Sequence, residues 1–241
     1  MPDPIMPPFA VPAASADRPL SGITILLVED SRFASEAVRL LCLRSGARIR
    51  RADCLRTAER HLATYRPTVA LIDLGLPDGS GTDLIRRLHS AQPRLPAILA
   101  TSGDDALECD ARAAGADGFL AKPCTGLAAF QTAVLSALKA DGAAPHRVAP
   151  GDRVAPDVLA YRDDLAGISE LLTEDSGPRT LAYAAQFLAG VARTAEDPPL
   201  AEAAGALRSG MAGGAPTGAL LARVAGLVEA RLHGSAGRAF A

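Results

Sequence analysis

The sequence predicts an α/β chain: a five-stranded parallel sheet with helices on both faces, followed by a smaller region that is helical throughout. Three observations lead there. Apolar runs such as "ITILLV" (23–28) and "TVALID" (68–73) have the unbroken hydrophobicity of strands buried on both faces. These runs alternate with segments of helical periodicity from residue 21 to about 140, the pattern of repeated parallel βα units. Beyond residue 156 every periodic segment is helical and no strand candidate occurs.

Taken in order, "ITILLV" is the first buried strand and "RFASEAVRLLCLRSG" (32–46) the first helix. Phe33, Ala37, Leu40 and Leu41 fall at helical spacing, and Gly46 stands where a left-handed C-terminal residue is expected. "ARIRRA" (47–52) alternates and carries three arginines, so it predicts an edge strand with one wet face. "CLRTAERHLATY" (54–65) is helical, "TVALID" is the second buried strand, and "GTDLIRRLHSA" (81–91) is helical. "LPAILATS" (95–102) is the third buried strand, followed by a helix over "DDALECDARAAGA" (104–116). A short strand, "GFLAK" (118–122), and an amphipathic helix, "TGLAAFQTAVLSALKA" (125–140), complete the unit. Residues 1–20 contain six prolines, five of them within the first twelve residues, and predict a flexible or extended tail. "DGAAPHRVAPGDRVAP" (141–156) breaks all periodicity and predicts a linker. The region 157–241 then predicts helices at roughly 157–173, 178–195, 198–210 and 216–233, with Pro178 and Pro198-Pro199 at helix starts. Leu181, Ala184, Ala185, Leu188 and Val191 form one apolar stripe, and Leu220, Leu221, Val224, Leu227, Val228 and Leu232 another, as in a small bundle.

Composition narrows the function classes. Of 241 residues 49% are hydrophobic, enough for packed cores, and the formal charge of −2 gives no basic field for nucleic acid. Cys42, Cys54, Cys109 and Cys124 form no CxxC pair and have no histidine at metal-ligand spacing. A disulfide framework or zinc site is therefore not expected, and a reducing cytoplasm fits. No apolar run reaches the ~18 residues of a membrane span, and the N-terminus lacks the basic-then-apolar order of a secretory signal. His61, His89, His146 and His233 lie in no motif and are expected at the surface.

The chemistry sits at the strand ends. The first strand ends in Glu29-Asp30, the second buried strand in Asp73, the third in Thr101-Ser102 and the last in Lys122-Pro123. An Asp beside Pro and Gly is often only a turn residue. Parallel sheets, however, collect their ligands at this carboxyl edge. Three carboxylates, a hydroxyl and one ammonium converge there. Crowded carboxylates repel one another, and a hard cation such as Mg²⁺ relieves the repulsion. An Asp in such a setting can act as a nucleophile toward phosphorus, with the cation, lysine and hydroxyl balancing charge on the transferred group.

Residues about 21–140 resemble the receiver domain of two-component response regulators, a flavodoxin-like fold. The match rests on Glu29-Asp30, "DLGLPDGSG" (73–81), Thr101 and "AKP" (121–123) in the right order and spacing. The resemblance implies phosphoryl transfer from a sensor histidine kinase, or a phosphotransfer protein, to Asp73. It implies Mg²⁺ held directly by Asp30 and Asp73, through water by Glu29, and by the carbonyl of Gly75. Thr101 and Lys122 would contact the phosphoryl oxygens, with Lys122–Pro123 in cis, and Phe119 would be the aromatic that turns with the switch threonine. It is also consistent with Phe119 as plain core. Cys124 is taken as a small apolar filler. Gly75 departs from the family, where a larger side chain, commonly Met or a polar residue, is usual; it leaves the lifetime of the phosphoryl group open. The resemblance further implies that the face of the fourth helix, last strand and fifth helix relays the switch, through a homodimer or by docking the helical region.

No family resemblance covers 157–241. Seven arginines against ten acidic residues give this region a net −3, and no basic recognition helix is evident. It lacks a phosphate-binding loop, and His233 falls at a helix end rather than mid-helix. The expectation is a helical interaction or dimerisation domain for an unknown protein partner. The competing expectation is a transcriptional or RNA-binding regulator with a divergent helical reader, against which the acidic charge argues.

Overall fold

The computed structural model describes residues 14–138, 152–173, 176–214 and 216–233. Residues 1–13, most of the expected linker including His146, and the last eight residues lie outside the described residues. The first half contains β1 (Thr24–Val28), α1 (Arg32–Ser45), β2 (Arg48–Ala52), α2 (Leu55–Thr64) and β3 (Val69–Asp73). A two-residue hairpin, β4 (Gly75–Leu76) and β5 (Gly79–Ser80), precedes α3 (Gly81–Ser90). Then follow β6 (Ala97–Ser102), a 3₁₀ turn (Asp105–Leu107), α4 (Glu108–Ala113), β7 (Gly118–Ala121) and α5 (Leu127–Ala137).

The five main strands are parallel in the order β2-β1-β3-β6-β7. The Arg-rich strand β2 is at the edge, as its alternation predicts, with three of its five residues exposed. Along each inner strand, successive side chains point to opposite faces. Ile25, Leu27, Leu71 and Leu99 join α1 and α5 around Phe130, whereas Leu26, Val28, Ile72 and Ile98 face Leu84, Ile85 and Ala58 from α3 and α2. The chain winds one way from β1 to β2 and the other way onward from β3. The carboxyl ends of β1 and β3 therefore flank a topological switch point, where such sheets open a crevice.

Four sequence expectations need correction. The helix expected over 104–116 is a 3₁₀ turn and a six-residue helix, because Asp104 accepts from Ala106 N–H and starts a tighter turn. The expected tail does not extend to residue 20: Leu20 is fully buried with Ile25, Leu41 and Phe130, and its N–H donates to Ser45 O. The end of the expected linker is also tied down. Leu127 N–H donates to Asp152 O and Val154 N–H to Thr125 O, burying Val154 in the same cluster. Finally, the helix expected over 157–173 ends at Ser169.

The second half is a four-helix bundle of α6 (Val158–Ser169), α7 (Pro178–Thr194), α8 (Pro198–Ala212) and α9 (Gly218–His233). Each helix packs on two others in a closed ring, α6 on α7, α7 on α8, α8 on α9 and α9 on α6. Leu165, Leu188, Leu200, Leu207 and Val224 fill the centre with small alanines between them. Tyr161 Oη and the Arg231 guanidinium both donate to Asp197, which also caps α8 through Leu200 N–H. Among the described residues no helix is long and apolar enough to cross a membrane.

Leu20→Ala measures whether the segment before β1 belongs to the fold. Loss of a fully buried leucine should lower unfolding free energy by about 2–5 kcal/mol in denaturant titration; a change within ±0.5 kcal/mol, the range of ordinary surface substitutions, would contradict its burial.

Candidate functional site

The strand ends meet as their order requires. Asp73 closes β3 and lies in register with Thr101 of β6, while Glu29 and Asp30 follow β1 next door. Glu29, Asp73 and Thr101 are buried and Asp30 is half-buried. From the end of β7, just before the cis Lys122–Pro123 bond, the Lys122 ammonium reaches both buried acids, 2.6 Å from Glu29 Oε2 and 2.8 Å from Asp73 Oδ2.

The second oxygens of Asp73 and Glu29, and one of Asp30, are held by backbone. Gly75 N–H donates to Asp73 Oδ1 at 3.2 Å, and Ser31 N–H lies 3.2 Å from Glu29 Oε1 and 3.1 Å from Asp30 Oδ1. Thr101 Oγ1 is 3.5 Å from Cys124 Sγ, a contact that fills space beside the hydroxyl and fits the reading of Cys124 as a filler. Phe119, opposite Ala100 in register, is half-buried against the cluster on the α2–α3 side of the sheet. All four cysteines are free thiols.

Electrostatics follow from burial. Desolvation pushes the Glu29 carboxyl up to about 8; Lys122 opposes this, and Asp73 and Asp30 reinforce it. Desolvation and the charge of Asp73 push Asp30 up to about 6, against the hydrogen bond from Tyr183. Burial works against the charged form of Lys122, but Asp73 and Glu29 outweigh it and hold the ammonium protonated. When all three are ionised, the carboxylates facing one ammonium leave two formal negative charges uncompensated. One oxygen from each of Glu29, Asp30 and Asp73 can be chosen so that all lie within 4.8 Å of one another. An all-oxygen donor set with that charge suits a hard divalent cation such as Mg²⁺.

Three further residues border this site, and all come from the bundle. Tyr183 Oη donates to Asp30 Oδ2 at 2.6 Å. The Gln186 carboxamide packs over Gly75, so closely that a Cβ at position 75 would overlap it. Asp164 is buried against the start of α1, accepting from Ser31 Oγ at 2.7 Å, Arg32 N–H at 2.9 Å and Phe33 N–H at 3.0 Å. The bundle therefore packs on α1 and β4 at the carboxyl edge. The sequence expectation of docking on the face of the fourth helix, last strand and fifth helix is corrected here. The physical reason is that α1 begins with open N–H groups and no acidic residue in its first turn, and Asp164 supplies the missing carboxylate. A sequence signal was present: Tyr183 lies outside the apolar stripe of α7, and Gly75 is bare where bulk is usual.

Residues 25–134 match the response regulator receiver domain family. The chain is similar to the virulence transcriptional regulatory protein PhoP of Salmonella typhimurium strain LT2, 32% identical over 100 residues covering 41% of this chain and 45% of that protein. It is similar to the KDP operon transcriptional regulatory protein KdpE of Escherichia coli K12, 32% identical over 143 residues and 58% of each chain. It thus spans about half the length of these curated relatives. Among solved structures, the signal receiver domain of a signal transduction histidine kinase from Syntrophus aciditrophicus aligns with TM-score 0.45 and 22% identity, covering 54% of this chain and 99% of that one. The receiver domain of a sensor histidine kinase from Pseudomonas aeruginosa PAO1, solved with magnesium in its active site cleft, aligns with TM-score 0.44 and 24% identity over 49% and 99% of the two chains.

Folded-state values above the ordinary 4.5 and 3.8 mean that Glu29 and Asp30 bind protons more tightly in the fold than in the unfolded chain. The stability this contributes is complete below about pH 4 and is lost as pH rises through about 6 and then about 8. In EDTA, thermal midpoints should therefore fall between roughly pH 5 and pH 8.5. Mg²⁺ should raise the midpoint more at the higher pH, where it displaces fewer protons. A flat midpoint and equal protection at both pH values would contradict the burial of these acids.

Proposed function

We propose that this chain, which carries a response regulator receiver domain at residues 25–134, is a phosphoacceptor of two-component signalling that takes a phosphoryl group on Asp73. Residues 21–140 form the receiver and 157–241 the output region in this reading. The observation that carries it is the Lys122 ammonium bridging Glu29 and Asp73, beside Thr101, at the switch-point edge of a parallel sheet.

In the proposed reaction an Asp73 carboxylate oxygen attacks the phosphorus of a phosphohistidine. The new O–P bond forms as the P–N bond breaks, and the electron pair leaves on the imidazole nitrogen, which takes up a proton. The carboxylate attacks as the anion, with the Lys122 ammonium 2.8 Å from its Oδ2. As charge moves from the carboxylate to the transferred group, Lys122 can follow it from Asp73 to a phosphoryl oxygen while keeping Glu29. The Thr101 hydroxyl, in register with Asp73, can donate to a second oxygen. Glu29, Asp30, Asp73 and the Gly75 carbonyl would hold Mg²⁺, which when bound neutralises phosphoryl charge. In this reading Phe119, opposite Ala100 and next to Thr101's register partner Leu120, is the aromatic that turns with the switch threonine. A sensor histidine kinase or phosphotransfer protein is the donor class this chemistry requires.

The named relatives are transcriptional regulators, which makes DNA the competing partner for the output region. The bundle's charge supports a protein partner instead. Arg208 is paired with Asp104 of the first half, Arg231 with Asp197, and Arg162 donates to Leu232 O, so three of its arginines are already engaged within the protein. A homodimer through α4, β7 and α5 is compatible with this reading, since the bundle packs chiefly on α1 and β4.

Asp73→Asn should abolish phosphate uptake from acetyl phosphate and Mg²⁺, read by intact-protein mass, because the amide oxygen is a poor nucleophile. Equal uptake by wild type and variant would remove Asp73 from the role. For the output region, filter binding at low salt should show no retention of duplex DNA with or without acetyl phosphate; retention that steepens on phosphorylation would favour the DNA reading.

A further inference from the structure

We propose that helix α7 is a plug of the phosphoacceptor site, held by Tyr183 and Gln186, and that its docking and the phosphorylation of Asp73 exclude one another. The inference rests on the assignment of Asp73 as phosphoacceptor and extends it to residues more than 100 positions away.

Five contacts converge on one edge of the sheet. Tyr183 Oη donates to Asp30 Oδ2, while Asp30 Oδ1 is already held by Ser31 N–H, so both carboxylate oxygens are occupied by protein donors. Gln186 occupies the space that any side chain at position 75 would need. Asp164 anchors α6 on the first turn of α1, and Phe33 of α1 meets Tyr161 with ring centroids 5.5 Å apart. On the far side Arg208 of α8 reaches Asp104 at 3.0 Å, after β6. These contacts stand around the acidic cluster and cover its Asp73 and Gly75 side, while Asp30 also borders an open cleft against α6.

The size of the remaining space decides what can enter. Between Asp73, Gly75 and Lys122 on one wall and Gln186, Gly190 and Arg193 on the other, about 30 Å³ is open to the centres of water molecules. That is room for about two waters. An imidazole bearing a phosphoryl group, or acetyl phosphate, is larger. A donor reaches Asp73 only after α7 lifts, and a phosphoryl group on Asp73 then stands where α7 must return. The same contact accounts for Gly75, the one departure of this site from its family: a side chain there would collide with Gln186 and hold the bundle off.

Charge favours release in the same direction. A cation bound by Asp30 competes with the Tyr183 hydroxyl for a carboxylate oxygen, and ligands shift a two-state equilibrium only by such differential contacts. Release uncovers Tyr183, Gln186 and Phe187 on one face of α7, so the output surface is hidden in the docked state.

The test is the initial rate of Asp73 phosphorylation in the full chain with acetyl phosphate and saturating Mg²⁺, read by intact-protein mass, with Asp73→Asn as the control. Tyr183→Phe keeps the ring packed near Phe187, and Gln186→Ala is a favourable helix substitution, so both should fold. Arg208→Ala loosens docking without touching the acidic cluster, which separates docking from a local effect on Asp30. The Tyr183→Phe/Gln186→Ala double variant should be phosphorylated at least about tenfold faster than wild type, since hydrogen bonds to charged groups are the stronger kind. Arg208→Ala should be faster by a smaller factor, its pair being part-exposed. Rates equal to wild type in both the double variant and Arg208→Ala, with normal uptake by wild type and none by Asp73→Asn, would overturn the plug and leave Asp73 as phosphoacceptor intact. No uptake by wild type or by any variant would overturn the phosphoacceptor assignment and the plug with it.

Discussion

The Lys122 ammonium, shared between Glu29 and Asp73, is the interaction on which the rest of the site depends. Two buried carboxylates and a third half-buried beside them are unfavourable together in a low-dielectric environment. One buried cation at hydrogen-bond distance from both makes the arrangement tolerable without neutralising it. The residual negative charge is the useful part: it favours a divalent cation, and in the proposed reaction one of these carboxylates is the nucleophile. The sheet supplies the geometry, because β1 and β3 are neighbours whose connections leave in opposite directions and open a crevice at their carboxyl ends.

The second dependence is the start of α1. Its first N–H groups face the crevice, Ser31 caps one internally through Ala34, and two more are left for an outside acceptor. Asp164 satisfies them from the bundle. Burying that carboxylate pushes its pKa up, and three hydrogen bonds from Phe33, Ser31 and Arg32 oppose the shift. A polar anchor of this kind suits a contact that forms and breaks. Its groups are satisfied by water when the halves part, whereas a large apolar interface would leave exposed hydrophobic surface.

Most of the sheet and much of the site were legible in the sequence. Runs such as "TVALID" announce strands buried on both faces, and Glu29, Asp30, Asp73, Thr101 and Lys122 stand at successive strand ends, so strand order alone brings them together. Pro178 and Pro198 mark helix starts that the structure reproduces. What could not be read depends on contacts distant in sequence. Leu20 looks like part of a proline-rich tail until Ser45 and Phe130 are placed beside it. Asp164 looks like a solvated helix acid, yet its partners are more than 130 residues away. Gly75 was visible as an anomaly, but its cause, Gln186, lies on another helix. The helix expected over 104–116 is shorter than read, because the alanine-rich sequence continues the helical pattern beyond the 3₁₀ turn that Asp104 starts and the end of α4 at Ala113.

The central claim is that one edge of the sheet serves two exclusive occupants, the phosphoryl group and α7. Amide hydrogen exchange of the full chain with and without beryllofluoride and Mg²⁺ tests it most directly, because it reads the docked surfaces themselves. The account predicts faster exchange in the first turn of α1 and in α7 around Tyr183 and Gln186 when the phosphoryl mimic is bound, with the bundle core unchanged. Unaltered protection of α1 and α7, alongside demonstrated binding of beryllofluoride at Asp73, would contradict it.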